Sequence, residues 1–498
     1  MNGLMLFPIV IPFATASICL MLWRHPRYQQ TIALIGSVVH LAVCIRLVSI
    51  VIAAGIQMVQ IGDWPAPFGI TLVCDHLSAL MLIITGVVGT ATAFYARGEL
   101  SGTMRARGFH ALFHVLIGGI CGAFLAGDLF NLYVWFEVML MASFGLLIWG
   151  QTSAQFEAAV KYVVINLLAT LLLLMGLALL YRLTGSLNMA HIHQIISDYE
   201  AKTLLTAVAF VFMAAFGIKA GLFPLFFWLP AAYHTPSIAV SALFAGMLTK
   251  VGVYALIRVF SLVFYHDIGV THTVLLVAAA LTMLTGVMGA AAQTEFRRIL
   301  SFHIISQVGY MVLGLALWTP LALAGAVFYL VHHMIVKANL FLVSGLSLDL
   351  VGTLQLKKMG GIYRAKPFVA VLFLISAFSL AGFPPLSGFW AKLLVIQAGL
   401  QIQHYTVAAI AVAVGMLTVY SMVKIWLAAF WKPLPSNDSP GRPQALSPWK
   451  IIPVCALACL TILIGIGAET VYHLAWTAAH EILNPQLYVQ AVLKGGHP

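Results

Sequence analysis

Residues 214–259 read AAFGIKAGLFPLFFWLPAAYHTPSIAVSALFAGMLTKVGVYALIRV. The stretch is apolar enough to lie in lipid. Yet it holds Lys219 and Lys250, the prolines Pro224 and Pro230, and the polar run Tyr233-His234-Thr235. A lysine at the centre of a bilayer costs roughly 2.5–3.5 kcal/mol on insertion scales. Two of them beside an interrupted helix are poor lipid anchors and reasonable parts of an ion path. Proline has no amide proton and clashes with the preceding turn. Pro224 and Pro230 therefore predict a helix broken in mid-membrane.

The rest of the chain is of the same kind. Of its 498 residues, 62% are hydrophobic and only 8% charged. Soluble domains carry about 25% charged residues. The fold class is an all-α polytopic membrane protein. Apolar runs of roughly 20 residues predict about 14 transmembrane helices. Their spans are 2–22, 30–54, 75–96, 108–127, 129–149, 158–182, 203–231, 236–260, 271–292, 298–319, 321–349, 368–402, 405–431 and 449–472. The first run has no basic start and no small-residue cleavage site, so it is read as a helix rather than a signal peptide.

The net charge of +11 forms no surface patch, so no nucleic-acid partner is expected. The charges fall in connections. Arg24, Arg97, Arg105, Arg107, Arg297, Lys357, Lys358 and Arg442 share one side, and the other holds few, among them Arg182, Lys202 and Arg258. The positive-inside rule makes the first side cytoplasmic and puts both termini on the outer side. The six cysteines are small apolar packing residues. They outline neither a disulfide framework nor a metal site.

A second stretch repeats the first. Ala220-Gly-Leu-Phe-Pro-Leu lies in span seven, and Ala381-Gly-Phe-Pro-Pro-Leu in span twelve, each followed by Phe-Trp. Pro384 and Pro385 thus predict a second break. The copies are five helices apart, an odd offset, so they enter the membrane from opposite sides, as in transporters built from inverted repeats. The expected organisation is residues 1–107 for helices 1–3 and 108–260 for a first repeat of helices 4–8. Residues 271–432 form a second repeat of helices 9–13, and 449–498 the last helix and tail.

Ionisable residues inside the spans carry the functional argument. Glu137 has no base within helical reach, and an unpaired carboxylate in lipid would take up a proton. It needs a partner on another helix, and Lys219 is the natural one. At about 6 Å and an effective dielectric near 20 their attraction is roughly 2.8 kcal/mol. A proton arriving at Glu137 could then switch Lys219. Lys250 follows on the next helix. His303, Ser306, Gln307 and Tyr310 share one helix face. His332, His333 and Lys337 come next, and histidine titrates near neutral pH. Lys392 would end the path, with His234 as a secondary member. Asp75 and Asp128, near span ends, are candidates for gathering cations, with a capping or turn role the competing reading for Asp75. No nucleophile elbow, phosphate loop, haem ligand pair or redox-cysteine pattern appears, so neither an enzyme nor a cofactor is expected.

Taken together, these motifs resemble the antiporter-like membrane subunits shared by respiratory complex I and the Mrp-type multisubunit cation/proton antiporters. The markers are Glu137, FGIKAGLFPLFFWLPAAYHTP with Lys219, Lys250, QTEFRRILSFHIISQVGYM, the VHHMIVKANLFLVSG run, and AGFPPLSGFWAK with Lys392. Lys392 and GDWPAPFGITLVCDHLSALM look most like the D-type Mrp subunits. The resemblance covers roughly Gly62 to Trp431. It implies exchange of Na⁺ or Li⁺ for H⁺ in a bacterial cytoplasmic membrane, driven by the proton-motive force and requiring other membrane subunits. It also implies a hydrophilic axis through Glu137, Lys219, Lys250, His332 and Lys392. The competing expectation is a proton-pumping subunit of a complex I-type oxidoreductase or a membrane-bound hydrogenase.

Overall fold

A long apolar run finds no water for its backbone in lipid, so it bonds its own amides as a helix. The computed structural model describes residues 2–100, 108–197, 202–433 and 446–494. Arg105, Arg107 and Arg442, used above for topology, lie outside the described residues. Helices α1 (Phe7–Met21) and α2 (Pro26–Ala54) precede an antiparallel hairpin of β1 (Gln57–Gln60) and β2 (Thr71–Cys74). Its register pairs Gln57 with Cys74 and Gln60 with Thr71. Next come α3 (His76–Glu99), α4 (Phe109–Leu125), α5 (Leu129–Leu147), α6 (Ser153–Thr184), α7 (Met189–Ser197) and α8 (Lys202–Ala220). The short α9 (Trp228–Ala232) leads to α10 (Ile238–Leu262), α11 (Ile268–Ala292), α12 (Phe296–Ala316) and α13 (Pro320–Val351). Then follow α14 (Pro367–Ala381), α15 (Ser387–Gln401), α16 (Tyr405–Trp431), α17 (Pro448–Ile466), α18 (Ala468–Leu483) and α19 (Pro485–Lys494).

Among the described residues, twelve helices are long and apolar enough to cross a membrane, and α4 and α14 are shorter apolar helices. The chain is an all-α polytopic membrane protein. Burial sorts the helices into centre and rim. The most apolar windows of α10 and α12 are 94% buried, whereas those of α1, α2 and α16 are 33% buried. Exposed Val160, Val164 and Leu171 on α6 and Met416 on α16 are suited to lipid. The polar residues of interest therefore collect on the inner helices, where other helices surround them.

Two boundaries differ from the sequence reading. The connection between the second and third spans is a paired hairpin rather than a loop. Span seven is interrupted as expected, α8 stopping at Ala220 and α9 beginning at Trp228. The fourteenth span, expected to reach residue 472, ends at Ile466. Beyond Gly467 the pattern AETVYHLAWTAAHEIL has one apolar face and a charged one, which suits a helix lying along a surface. Buried Ala475, Ala478, Ala479 and Ile482 form the inner face of α18. Glu481 ties it to α3, accepting the His76 backbone amide at 3.0 Å and contacting the His76 ring at 2.7 Å.

Helix α10 lies hard against the end of α8. A Cβ on Gly252 would stand 2.5 Å from the Ala220 nitrogen and 2.8 Å from the Lys219 carbonyl carbon. Both are backbone atoms, so neither side can turn away. Gly252→Val should therefore destabilise the protein by about 1–3 kcal/mol, read as a lower melting temperature after detergent extraction. Gly269→Val is the control, because nothing lies within 4 Å of its added Cβ.

Candidate functional site

Both helix interruptions are built the same way. Helix α8 ends on Gly221 with φ 79°, and α14 ends on Gly382 with φ 96°. Glycine enters this left-handed region without strain. The amide after each glycine reaches five residues back, Leu222 to Gly217 at 2.9 Å and Phe383 to Phe378 at 3.0 Å. The glycine amides bond Ile218 at 3.2 Å and Ser379 at 3.1 Å. This is the Schellman arrangement for stopping a helix. Gly221 and Gly382 thus set the stops, and Pro224, Pro384 and Pro385 lie in the turns that follow. Pro230 is not a break. It is the third residue of α9, where a first-turn amide has no helical partner to lose.

Lys219 sits one residue before the end of α8 and is buried. Its Nζ lies 5.1 Å from the Phe136 ring centre. The expected partner, Glu137 on α5, is reached indirectly. Lys219 Nζ donates to Thr170 Oγ1 at 3.2 Å, and Thr170 donates to Glu137 Oε1 at 2.6 Å. One hydroxyl from α6 thus joins the two ionisable groups. Beside Lys219 lies a cavity of about 20 Å³, lined by Tyr162, Asn166, Trp228 and Leu248 among others. That is room for one water molecule.

The middle of the site lies between α10, α12 and α13. Residues Phe244–Leu248 of α10 form a π-helical turn, an irregularity often found at functional positions. Lys250 follows it, and its Nζ donates to the carbonyl of Ala245 inside that turn. His333 lies within electrostatic range of Lys250, Lys337, His332 and His303. Among the described residues, neither ring nitrogen of His303 or His333 has a protein partner, nor does Lys337 Nζ. No carboxylate stands among these groups, so two protonated neighbours would repel.

On the far side, His332 Nδ1 meets Ser387 Oγ at 2.8 Å, and Ser387 meets Ser379 at 3.1 Å. This serine pair spans the second interruption. Lys392 Nζ donates to the carbonyl of Ala381, the last residue of α14, at 2.9 Å. It lies 5.4 Å from the centre of the Tyr310 ring. Tyr310 bonds the Ala411 carbonyl and stacks on Tyr329 at 5.3 Å. Tyr329 bonds Gln307, and Gln307 donates to Ser306 at 2.8 Å.

Lys250, His303, Ser306, Gln307, Tyr310, His332, His333, Lys337 and Lys392 therefore lie along one interior band, and Glu137 and Lys219 form a second polar group on its flank, where Gly252 of α10 packs on the Lys219 backbone. His234 joins neither. Its Nδ1 contacts the Pro230 carbonyl at 2.7 Å, in the connection before α10, near Arg297 and Arg298. Asp75 is also committed elsewhere. It caps α3 through the Ser78 amide at 2.9 Å and pairs with Arg258 at 2.6 Å. Those two bonds fit the capping reading of Asp75 rather than cation gathering. Asp128 caps α5 through the Asn131 amide at 2.7 Å, and the backbone at Thr71 and Phe130 also faces its carboxyl. Burial pushes its carboxyl up to about 6. Among the described residues, no three His, Cys, Asp or Glu side chains are grouped to hold a metal ion.

Sequence reasoning missed Thr170, Tyr329, Ser387 and the burial of Arg258. One threonine in INLLATLLLLM carries no signal. Tyr329 did carry one, because it lies three and four residues before His332 and His333, on the same helix face. Arg258 was assigned to a connection, whereas α10 continues past it to Leu262.

The transmembrane family described as NADH:quinone oxidoreductase/Mrp antiporter matches residues 126–418. The chain is 45% identical over 494 residues to the D-type Na⁺/H⁺ antiporter subunit of Alkalihalophilus pseudofirmus, covering 99% of this chain and 100% of that relative. It superposes with a TM-score of 0.92 on a chain of the Mrp complex from Dietzia sp. DQ12-45-1b, at 34% identity and covering 99% and 100% of the two chains. A chain of respiratory complex I from Thermus thermophilus shares the fold, with a TM-score of 0.83 at 23% identity over 96% and 99% of the two chains.

The Asp75–Arg258 pair is testable by itself. The Arg258 guanidinium also lies 5.4 Å from the Tyr254 ring and 5.3 Å from the Tyr488 ring. Removing one partner of such a buried pair leaves an uncompensated charge, at about 3–5 kcal/mol. Asp75→Ala should lower thermal stability by that order. The double variant Asp75→Leu with Arg258→Met should recover most of it.

Proposed function

The chain belongs to the NADH:quinone oxidoreductase/Mrp antiporter family of membrane subunits, and from that premise we propose that it is the D-type subunit of a multisubunit Na⁺/H⁺ antiporter. It works with other membrane subunits in a bacterial cytoplasmic membrane, its termini on the outer side, and exchanges Na⁺ or Li⁺ for H⁺ at the expense of the proton-motive force. It moves ions and makes no covalent product. Its own part is proton transfer through the interior band and the group on its flank.

One observation carries this reading. Two groups of ionisable and hydroxyl side chains support it, one of Glu137, Thr170 and Lys219, the other running from Lys250 by His333 and Lys337 to His332, Ser387 and Lys392. Among the described residues, several of these polar groups have no protein partner, a costly arrangement unless water or protons reach them. Glu137 is half-buried on α5, and a glycine-stopped interruption lies beside each group. Each transfer needs a donor and an acceptor that can exchange roles. Carboxyl, hydroxyl, imidazole and amine groups all can. The hard cation requires oxygen ligands, which the middle of the band does not offer, so Na⁺ is assigned no place there.

The test uses the assembled complex in everted membrane vesicles, with Na⁺-dependent dissipation of a pH gradient as the signal. Glu137→Gln and Lys219→Ala should each lower exchange about tenfold or more while the complex still assembles. Normal exchange in either assembled variant would sink the relay. A signal seen only during NADH oxidation would favour the redox-pump reading.

A further inference from the structure

Thr170 bonds unlike many threonines of the other helices. Thr85, Thr92, Thr282, Thr418 and Thr461 each donate to the carbonyl four residues back, at 2.6–2.8 Å. That is how a hydroxyl in an apolar helix is ordinarily satisfied. Thr170 forgoes this bond. Its proton goes to Glu137 Oε1 and its lone pair receives Lys219 Nζ, at 2.6 and 3.2 Å. A hydroxyl has one proton and two lone pairs, so rotation about its C–O bond reverses both roles. The same oxygen can then accept from Glu137 and donate to Lys219.

We propose that the Thr170 hydroxyl carries the proton between Glu137 and Lys219. This rests on the relay reading above and names the atom through which its first step passes. Protonated Glu137 breaks its O–H bond and gives that proton to Thr170 Oγ1. The proton already on Thr170 leaves for the neutral Nζ of Lys219, where an N–H bond forms. A carboxylic acid and an amine become a carboxylate and an ammonium, and threonine ends as it began. Rotation of the hydroxyl resets the link. The rival roles are packing alone and transfer through a water in the adjoining cavity.

The experiment compares the parent with Thr170→Val, Thr170→Ser and Thr170→Ala in the assembled complex, in everted vesicles. Each Na⁺-dependent proton flux is divided by the amount of assembled complex. Valine keeps the volume and loses the hydroxyl, whereas serine keeps the hydroxyl and loses a methyl group. Valine and alanine should lower the flux about tenfold or more, and serine should retain most of it. Valine at the parent rate, or valine above serine, overturns the proposal in favour of packing or cavity water. If the valine variant does not assemble, serine against alanine decides, and equal rates overturn it. Glu137→Gln runs alongside. If it exchanges normally the relay itself fails; if it is inactive while valine exchanges normally, only the hydroxyl link fails.

Discussion

A lysine ammonium taken from water into the interior of a helical bundle loses its hydration, at several kcal/mol even after relaxation. Lys219, Lys250, Lys337 and Lys392 are all buried here. A carboxylate would be the ordinary remedy, but Glu137 serves only Lys219, and through a hydroxyl. Two of the others use the backbone. Lys250 takes the Ala245 carbonyl within a π-helical turn, and Lys392 takes the Ala381 carbonyl at the end of α14. A regular helix has no such carbonyls to spare. Helix ends and irregular turns do, and helix C-termini also carry partial negative charge. The interruptions therefore do more than bend the chain. They create acceptors where lysines need them.

This choice of acceptor matters for charge. A carbonyl neither gains nor loses a proton under these conditions. A lysine bonded to it can be discharged without leaving an orphaned anion in the interior. Only Glu137, in the flanking group, can hold a negative charge, and it is half-buried. The band thus alternates between positive and neutral states. Close packing keeps both groups in place: Gly252 lets α10 press on the backbone at Lys219, and Tyr329 holds His332, His333 and Gln307 around one ring.

The helices and most of the band were legible in the sequence, because an ionisable residue inside an apolar run is conspicuous. Glu137, Lys219, Lys250 and Lys392 announce themselves in this way. So do the two interruptions, although the proline that marks each in the sequence follows the glycine that stops the helix. Pairings between distant helices were less legible. Nothing in the order of residues says that Thr170 stands between Glu137 and Lys219, or that Asp75 faces Arg258, since both are facts of packing across helices. The surface helix α18 was missed because its apolar face lengthened the preceding run, and only Gly467 and the acidic residues after it mark the change.

Helix α6 has 32 residues, and at 1.5 Å per residue a helix of that size is about 48 Å long. The hydrocarbon layer is about 30 Å thick. Such a rod leans away from the bilayer normal or projects beyond it, and its lean responds to the thickness of the surrounding lipid. Its ends sweep through the largest arcs. Thr170 lies near the midpoint of the helix, where a change of lean moves a residue least. The hydroxyl between Glu137 and Lys219 is thereby placed where changes in membrane thickness displace it least.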